Sequence, residues 1–137
     1  MEQHNQEGKA LAESNTEYSE VEQVAQYLFR QLAAAIAHLH TKLQIIHRDI
    51  KPDNILFCSQ NSEIKLTDFT VARGEIGDET RLFDSEGTPC FTAPECHVVE
   101  KDGYSPRPTD IWSFGVCLYT FVNDGKLPFY GQSELEI

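Results

Sequence analysis

The chain has 137 residues, with 22 acidic residues against 11 lysines and arginines, so its formal net charge at pH 7 is −11. The length suits about one domain, and the negative charge argues against nucleic acid or an anionic membrane surface as a partner. The longest apolar stretch, residues 111–122, is shorter than the ~20 residues of a membrane-spanning helix, and the first residues lack the pattern of a signal peptide, so neither a span nor a leader is expected.

The first predicted element is a long amphipathic helix that follows a polar segment. Residues 1–18 are polar and acidic without a period, as in a linker or a disordered tail. Ser19 and Glu22 form a capping-box pair. Apolar residues then recur at helical spacing up to Leu39, which predicts a helix from Ser19 to about Thr41 with one apolar face.

Two short strands are predicted after this helix, at residues 55–57 and 63–67. Residues 58–62 supply the polar turn between them. A hairpin of these strands would place Asn54 and Asp68 at neighbouring ends of paired strands.

The second half of the chain alternates loops with helices. Residues 73–86 are polar and contain two glycines, so we expect a mobile loop there. A short helix is expected within residues 91–99. Residues 101–108 contain a glycine and two prolines and are predicted as a loop.

A buried helix is predicted next. Pro108 opens it, with Thr109 or Asp110 near the cap. Residues 111–122 are apolar on nearly all sides, as expected of a helix that is buried all round. An Asn-Asp-Gly sequence ends it, and a further helix is predicted from Ser133.

The four cysteines are scattered along the chain, at Cys58, Cys90, Cys96 and Cys117, without a C-x-x-C pair. This usage favours reduced thiols over a disulfide or a zinc site, which stay open as alternatives. An intracellular, cytoplasmic location is therefore expected.

The most informative run is residues 47–54, HRDIKPDN, which fills every fixed position of the pattern H-R-D-x-x-x-x-N. Further motifs follow in order: Asp-Phe at 68–69, Gly-Thr-Pro at 87–89, Ala-Pro-Glu at 93–95 and Asp-Ile-Trp-Ser-Phe-Gly at 110–115. At roughly one chance in twenty per fixed position, so many ordered matches are not accidental. The chain resembles the C-terminal lobe of a eukaryotic protein kinase over nearly its whole length.

The resemblance implies an α+β fold, a mainly α-helical kinase C-lobe with a short β-hairpin that carries the catalytic and metal-binding loops. Residues 1–137 would be a partial kinase domain, with 1–18 as a hinge-like or linker segment and 19–137 as an incomplete C-lobe. The sequence has no glycine-rich loop, no V-A-I-K lysine and no partner glutamate for that lysine. We therefore expect the N-lobe to be absent and this polypeptide to have little or no kinase activity alone.

The resemblance also implies catalytic roles. Asp49 would accept the proton of the substrate hydroxyl or orient that hydroxyl, and Lys51 would contact the γ-phosphate of ATP. Asn54 and Asp68 would hold Mg²⁺, which neutralises charge on the transferred group. A lysine two residues after the catalytic aspartate is typical of serine/threonine kinases.

Three further residues match positions of the family. Thr88 resembles the threonine that links the substrate-binding loop to Asp49 and Lys51. Leu56 matches the apolar residue that forms the floor beneath adenine. Asp110 would accept backbone hydrogen bonds from the catalytic loop and keep that loop rigid.

The resemblance suggests a regulatory site as well. Arg48 would meet a phosphate on the activation loop. Asp84 lies three residues before Gly87, near the usual position of that phosphate, and could serve as a permanent acid. Ser85 could instead be phosphorylated, and an ordinary solvated acidic loop is the remaining alternative.

Thr70 departs from the family pattern, which has glycine after Asp-Phe. Glycine tolerates backbone angles that a β-branched residue resists. We therefore expect Thr70 to lower activity or to lock one arrangement of the metal-binding loop.

Within the kinases, the chain is similar to the calcium/calmodulin-dependent protein kinase kinase group. The similarity rests on Tyr-Ser-Glu at 18–20, the stretch 87–95, Asp-Ile-Trp at 110–112 and Leu-Pro-Phe at 127–129. The sequence has no basic amphipathic helix that would bind calmodulin. Any calmodulin-linked regulation would lie outside this chain.

The predicted function is transfer of the γ-phosphoryl group of Mg-ATP to a serine or threonine hydroxyl of a protein substrate. ATP and Mg²⁺ are the expected cofactors. A non-catalytic pseudokinase or regulatory fragment that binds protein partners is the alternative. A kinase that acts on small molecules is disfavoured, because Gly-Thr-Pro and Ala-Pro-Glu belong to a segment that serves protein substrates.

Overall fold

The computed structural model describes residues 18–131 and Glu136. Within this part of the chain, the α-helices are α1 (Glu20–His38), α2 (Pro94–His97) and α3 (Pro106–Val122). An antiparallel hairpin joins β1 (Ile55–Cys58) to β2 (Glu63–Leu66). Short 3₁₀ turns lie at Pro52–Asn54 and Pro89–Phe91. The predicted hinge-like segment, apart from Tyr18, and most of the helix predicted from Ser133 lie outside the described residues.

The start of α1 confirms the predicted capping box. The Ser19 hydroxyl accepts from the Glu22 N–H at 3.3 Å, and the Ser19 N–H donates to Glu22 Oε2 at 2.8 Å. The α-helix ends at His38, and a π-helical turn, Leu39–Leu43, extends it. Gln44 then takes a left-handed φ of 53° and ends the helical run, just beyond the predicted end at Thr41.

The predicted hairpin is confirmed, with Ile55 opposite Leu66 and Cys58 opposite Glu63. The pairing continues past the strand ends, because the Thr67 N–H donates to Asn54 O at 2.9 Å. Asn54 and the segment that leads to Asp68 are therefore neighbours in space.

Two buried clusters form the core. One contains Leu32 and Ile36 from α1, Ile50 from the loop after α1, and Cys117 from α3. The other joins the middle of the chain to the residues around α2 and consists of Ile46, Ile76, Leu82, Ala93, Cys96 and Tyr104. Ile46 and Ile50 flank residues 47–49 and are both fully buried. The segment 47–49 is thus held at both ends by different parts of the core.

Residues 73–86 are irregular, as predicted, but they are anchored. Ile76 and Leu82 are buried in the core. Isolated backbone bridges pair Ile46 with Arg73 and Leu82 with Tyr104. The predicted short helix within 91–99 is confirmed as α2.

The predicted start of α3 was wrong. The helix begins at Pro106, with Ser105 in the cap position, so Thr109 and Asp110 lie inside it. Prolines fit the first helical turn because the N–H groups there have no partner within the helix. Pro106 and Pro108 therefore belong to the helix, where the sequence suggested a loop.

The prediction that 111–122 is buried all round was also wrong for the described structure. Val116 and Cys117 are buried, but 55% of Ile111 and 45% of Tyr119 are exposed. An apolar sequence on every side cannot indicate which face packs. In the described residues, α1 and the turn at Pro89–Phe91 cover one side of α3.

The cysteines are free thiols, with Cys96 and Cys117 buried and the other two half-buried. No helix in residues 18–131 is both long and apolar enough to cross a bilayer.

Candidate active site

Asp110 fixes the backbone of the loop that contains His47, Arg48 and Asp49. Its side chain is fully buried. Its two oxygens accept from the N–H groups of His47 and Arg48, each at 2.9 Å, and Oδ2 is also 2.8 Å from His40 Nε2. Arg48 has a left-handed φ of 71°, a conformation that costs energy in a residue other than glycine. Asp110 stabilises this conformation, in the position that the resemblance implied.

His47 connects the catalytic loop to the end of β2. Its Nε2 lies 2.9 Å from Thr67 O, and its Nδ1 accepts from the Asp49 N–H at 3.3 Å. A nitrogen that accepts cannot carry the proton, so the neutral ring with hydrogen on Nε2 satisfies both contacts. The ring also meets the edge of Phe69, with centroids 4.7 Å apart.

Asp49, Lys51, Asn54 and Thr88 form one hydrogen-bonded network. Asp49 Oδ1 accepts from the Thr88 hydroxyl at 2.7 Å, and Oδ2 accepts from Asn54 Nδ2 at 3.1 Å. Lys51 Nζ donates to Thr88 Oγ1 at 2.7 Å and lies 3.2 Å from Asp49 Oδ2. An ammonium, a carboxylate, an amide and a hydroxyl therefore converge at one place.

Gly87 allows Thr88 to reach this network. Its φ is 112°, and a Cβ at this position would overlap the carbonyl oxygen of Arg48. Only glycine adopts such a conformation easily. The Thr92 hydroxyl then donates to Thr88 O at 2.9 Å and holds the turn. Gly87 had no predicted role of its own, although its place directly before Thr88 was the available signal.

The side-chain oxygens of Asn54 and Asp68 are of the type that binds a magnesium ion. Asn54 Nδ2 donates to Asp49 O at 2.8 Å, which orients the amide and leaves Oδ1 without a hydrogen bond to any described residue. Asp68 is exposed. Mg²⁺ prefers oxygen ligands and keeps waters or phosphate oxygens in its shell. Among the described residues no group of three or more His, Cys, Asp and Glu could hold a metal, so an ion here would depend on such outside oxygens.

Thr70 is bonded to Asp68. Its hydroxyl donates to Asp68 Oδ1 at 2.5 Å and its N–H donates to the same oxygen at 3.2 Å. These two bonds, the hydroxyl first, hold the pKa of Asp68 below its ordinary value. The left-handed residue of this segment is Asp68, with φ 61°, and Thr70 does not have a positive φ. The expected effect of Thr70 on activity stays a prediction.

Asp84 lies between two arginines. Arg48, whose side chain is only 5% exposed, places Nη2 3.0 Å from Asp84 Oδ1. This contact is an ion pair without the alignment of a hydrogen bond. Arg73 Nη2 lies 3.4 Å from the other oxygen of Asp84. A contact between Arg48 and Asp84 was one of the alternatives that the sequence left open. The contact of Arg73 was not expected, and Ser85 is exposed.

Tyr104 holds the backbone of Asp84 in place. Its hydroxyl donates to Asp84 O at 2.7 Å. Burial raises the pKa of Tyr104 to about 12, so the hydroxyl keeps its proton at neutral pH. The backbone of Asp84 is therefore fixed while its carboxylate faces the arginines.

Leu56 does not join the network or the core. It lies in β1 and is 54% exposed. Its neighbours Ile55 and Phe57 line a half-open apolar pocket of about 380 Å³, together with residues of α1 and α3. The predicted contact of Leu56 with adenine stays a prediction.

Known proteins match this chain over most of its length. Serine/threonine-protein kinase GRIK2 from Arabidopsis thaliana is 41% identical over 82% of this chain and 27% of its own length. The serine/threonine-protein kinase stk11 homolog from Dictyostelium discoideum is 44% identical, over 80% of this chain and 18% of its own. Serine/threonine-protein kinase CHK1 from Saccharomyces cerevisiae is 40% identical, over 77% and 20%.

The chain therefore spans between 18% and 27% of the length of these three relatives. The family described as the protein kinase domain matches residues 2–137. Because this match covers nearly the whole sequence, the chain belongs to the protein kinase domain family.

Proposed function

We propose that this chain is the C-lobe part of a serine/threonine protein kinase, which transfers the γ-phosphoryl group of ATP to a serine or threonine hydroxyl of a protein. The observation that carries the proposal is the network of Asp49, Lys51, Asn54 and Thr88. Lys51 and Asp49 share the Thr88 hydroxyl, and this places a cation and a carboxylate side by side, as phosphoryl transfer requires.

In this proposal Asp49 orients the substrate hydroxyl and accepts its proton. The Thr88 and Asn54 hydrogen bonds fix both carboxylate oxygens, so the base is in place before the substrate arrives. Lys51 lies at 3.2 Å from Asp49 and offers positive charge to the transferred phosphoryl group. Its bond to Thr88 keeps the ammonium from folding away.

Asn54 and Asp68 are the proposed metal-binding residues. Mg²⁺ held by their oxygens would neutralise charge on the phosphates of ATP. Leu56, exposed on β1, is the proposed floor for the adenine ring.

Arg48, Arg73 and Asp84 are the proposed regulatory residues. An aspartate between two arginines occupies a place where a phosphate would make similar contacts. Asp84 would then keep the segment in one arrangement without modification. Phosphorylation of the adjacent Ser85 is the alternative proposal.

A non-catalytic role is the second candidate, and the contact of Thr70 with Asp68 favours it. That bond uses an oxygen that a metal ion would otherwise bind. The intact network around Asp49 favours catalysis. The division into residues 1–18 and 19–137, the intracellular location, the calmodulin-dependent kinase kinase subgroup and calmodulin-linked regulation stay predictions from the sequence.

The test uses the full-length protein that contains this chain, with Mg-ATP and peptides that carry serine, threonine or tyrosine. Asp49→Asn should lower phosphoryl transfer to serine or threonine by about 100-fold or more, the contribution of a positioned base. Asp102→Asn is the matched control and should leave the rate unchanged, because Asp102 is exposed and distant from Asp49 in the sequence. A wild-type protein that binds Mg-ATP but transfers nothing would overturn the catalytic proposal and favour the second candidate.

A further inference from the structure

The bond between Thr70 and Asp68 has a specific geometry. The hydroxyl and the N–H of Thr70 both donate to Oδ1, at 2.5 and 3.2 Å. Asp68 Oδ2 makes no hydrogen bond to a residue in the described part of the chain. The two oxygens of this exposed carboxylate therefore differ in the number of hydrogen bonds that they accept.

A carboxylate oxygen offers about two lone-pair directions. Two donors fill both directions on Oδ1, whereas Oδ2 keeps its own free. The hydroxyl contact of 2.5 Å is at the short end of hydrogen bonds to a charged oxygen, which are the strong ones. A cation that approached Oδ1 would have to displace this bond.

We propose that Thr70 is a positioning residue that restricts Asp68 to a single metal–oxygen bond, through Oδ2, and thereby weakens divalent-cation binding. This inference rests on the proposed function, in which Asp68 holds a metal ion. Without the hydroxyl, Oδ1 keeps only the backbone donor and can bind the same ion or a second one.

A different role for the hydroxyl leads to the opposite result. Asp68 has a left-handed φ of 61°, and the hydroxyl could serve only to hold this conformation. Loss of the hydroxyl would then misplace the carboxylate and weaken the binding of a metal. The sign of the change in affinity therefore separates the two roles.

The experiment measures Mn²⁺ binding to the full-length protein without nucleotide, from the electron paramagnetic resonance signal of free Mn²⁺. Thr70→Val removes the hydroxyl and keeps the shape of the side chain. It should lower the dissociation constant for Mn²⁺ by about tenfold to 100-fold, in line with the worth of one hydrogen bond to a charged group. Thr70→Ser keeps the hydroxyl and should bind Mn²⁺ as the wild type does.

Thr41→Val is the matched control, because Thr41 is exposed in the π-helical turn after α1 and, among the described residues, its hydroxyl bonds only to Ala37 O. Its dissociation constant should not change. Unchanged or weaker Mn²⁺ binding by a folded Thr70→Val protein would overturn the inference. If that variant does not fold, Thr70→Ala decides in the same way, since it also removes the hydroxyl.

Asp68→Asn separates this inference from the proposed function. If Asp68→Asn abolishes Mn²⁺ binding while Thr70→Val leaves it unchanged, the role of Thr70 is wrong and the metal site stands. If Asp68→Asn leaves Mn²⁺ binding unchanged, Asp68 holds no metal, and both the metal site and the inference fail.

Discussion

Thr88 donates its hydroxyl proton to Asp49 Oδ1 over 2.7 Å, although 39 residues separate the two in the sequence. The same hydroxyl accepts from Lys51. The Gly-Thr-Pro turn and the catalytic loop are thus joined by one side chain, and the position of the proposed base depends on both.

Thr88→Val should therefore impair catalysis more than stability. The valine has nearly the same shape but loses both hydrogen bonds, so Asp49 and Lys51 become free to move. We expect phosphoryl transfer to fall by about 10- to 100-fold, because misplacement of a reacting group by about 1 Å can cost about 100-fold. Thr88→Ser, which keeps the hydroxyl, should retain most of the rate, and equal rates for the two variants would contradict the role of the hydroxyl.

Asp110→Asn should destabilise the fold. The substitution places an NH₂ group against an N–H donor of His47 or Arg48 in a fully buried site. We expect the free energy of unfolding to fall by about 2 to 4 kcal/mol, the range for an unsatisfied buried donor beside a lost charge. Urea denaturation measures this change, and Asp102→Asn should differ from wild type by less than about 0.5 kcal/mol.

Asp84→Ala should lower activity more than Arg73→Ala. The first change leaves the buried Arg48 without its partner, whereas Arg73 is 52% exposed and contributes a longer contact. Rates of phosphoryl transfer with Mg-ATP measure both effects. Ser85→Ala should retain full activity if Asp84 is a permanent acid. A large loss in Ser85→Ala, together with phosphate on Ser85 in the mass spectrum, would favour regulation by phosphorylation instead.

Thiol labelling should separate the cysteines by burial. Burial raises the pKa of Cys117 to about 12 and also raises the pKa of Cys96. Only thiolates react with iodoacetamide at an appreciable rate. At pH 8 we expect Cys58 and Cys90, which are half-buried, to be labelled first and Cys117 only after unfolding. Early labelling of Cys117 in the folded protein would contradict its placement in the core.

The same burial predicts a loss of stability at high pH. An unfolded cysteine ionises near pH 8.5, whereas folded Cys117 keeps its proton up to about pH 12. The folded state binds more protons in this interval, so the stability is intact below about pH 8.5 and decreases as the pH rises. Urea midpoints at pH 7.5 and 9.5 should show this decrease, and the decrease should be smaller in Cys117→Val.

Local signals in the sequence predicted the elements that local chemistry determines. The Ser19 and Glu22 capping pair placed the start of α1, because both partners lie within one turn. The polar residues between two apolar runs placed the hairpin. The motif HRDIKPDN supplied the resemblance to protein kinases, and that resemblance implied a shared site for Asp49, Lys51 and Asn54.

Features that depend on distant contacts were missed or misplaced. Arg73 meets Asp84 because Ile76 and Leu82 are buried and fold the segment back, and its composition gave no sign of this. The start of α3 was misplaced because prolines were counted as loop residues, although the first turn of a helix accepts them. The bond from Thr70 to Asp68 depends on a left-handed backbone at Asp68, which the sequence does not reveal.

The placement of Ile46 in one buried cluster and Ile50 in the other has a mechanical consequence. Only three residues connect these anchors, and the proposed base is one of them. Any small movement of one buried cluster relative to the other would mainly displace these three residues. Heating that weakens the packing of either cluster should therefore abolish phosphoryl transfer at a temperature where most of the helices and strands are still intact.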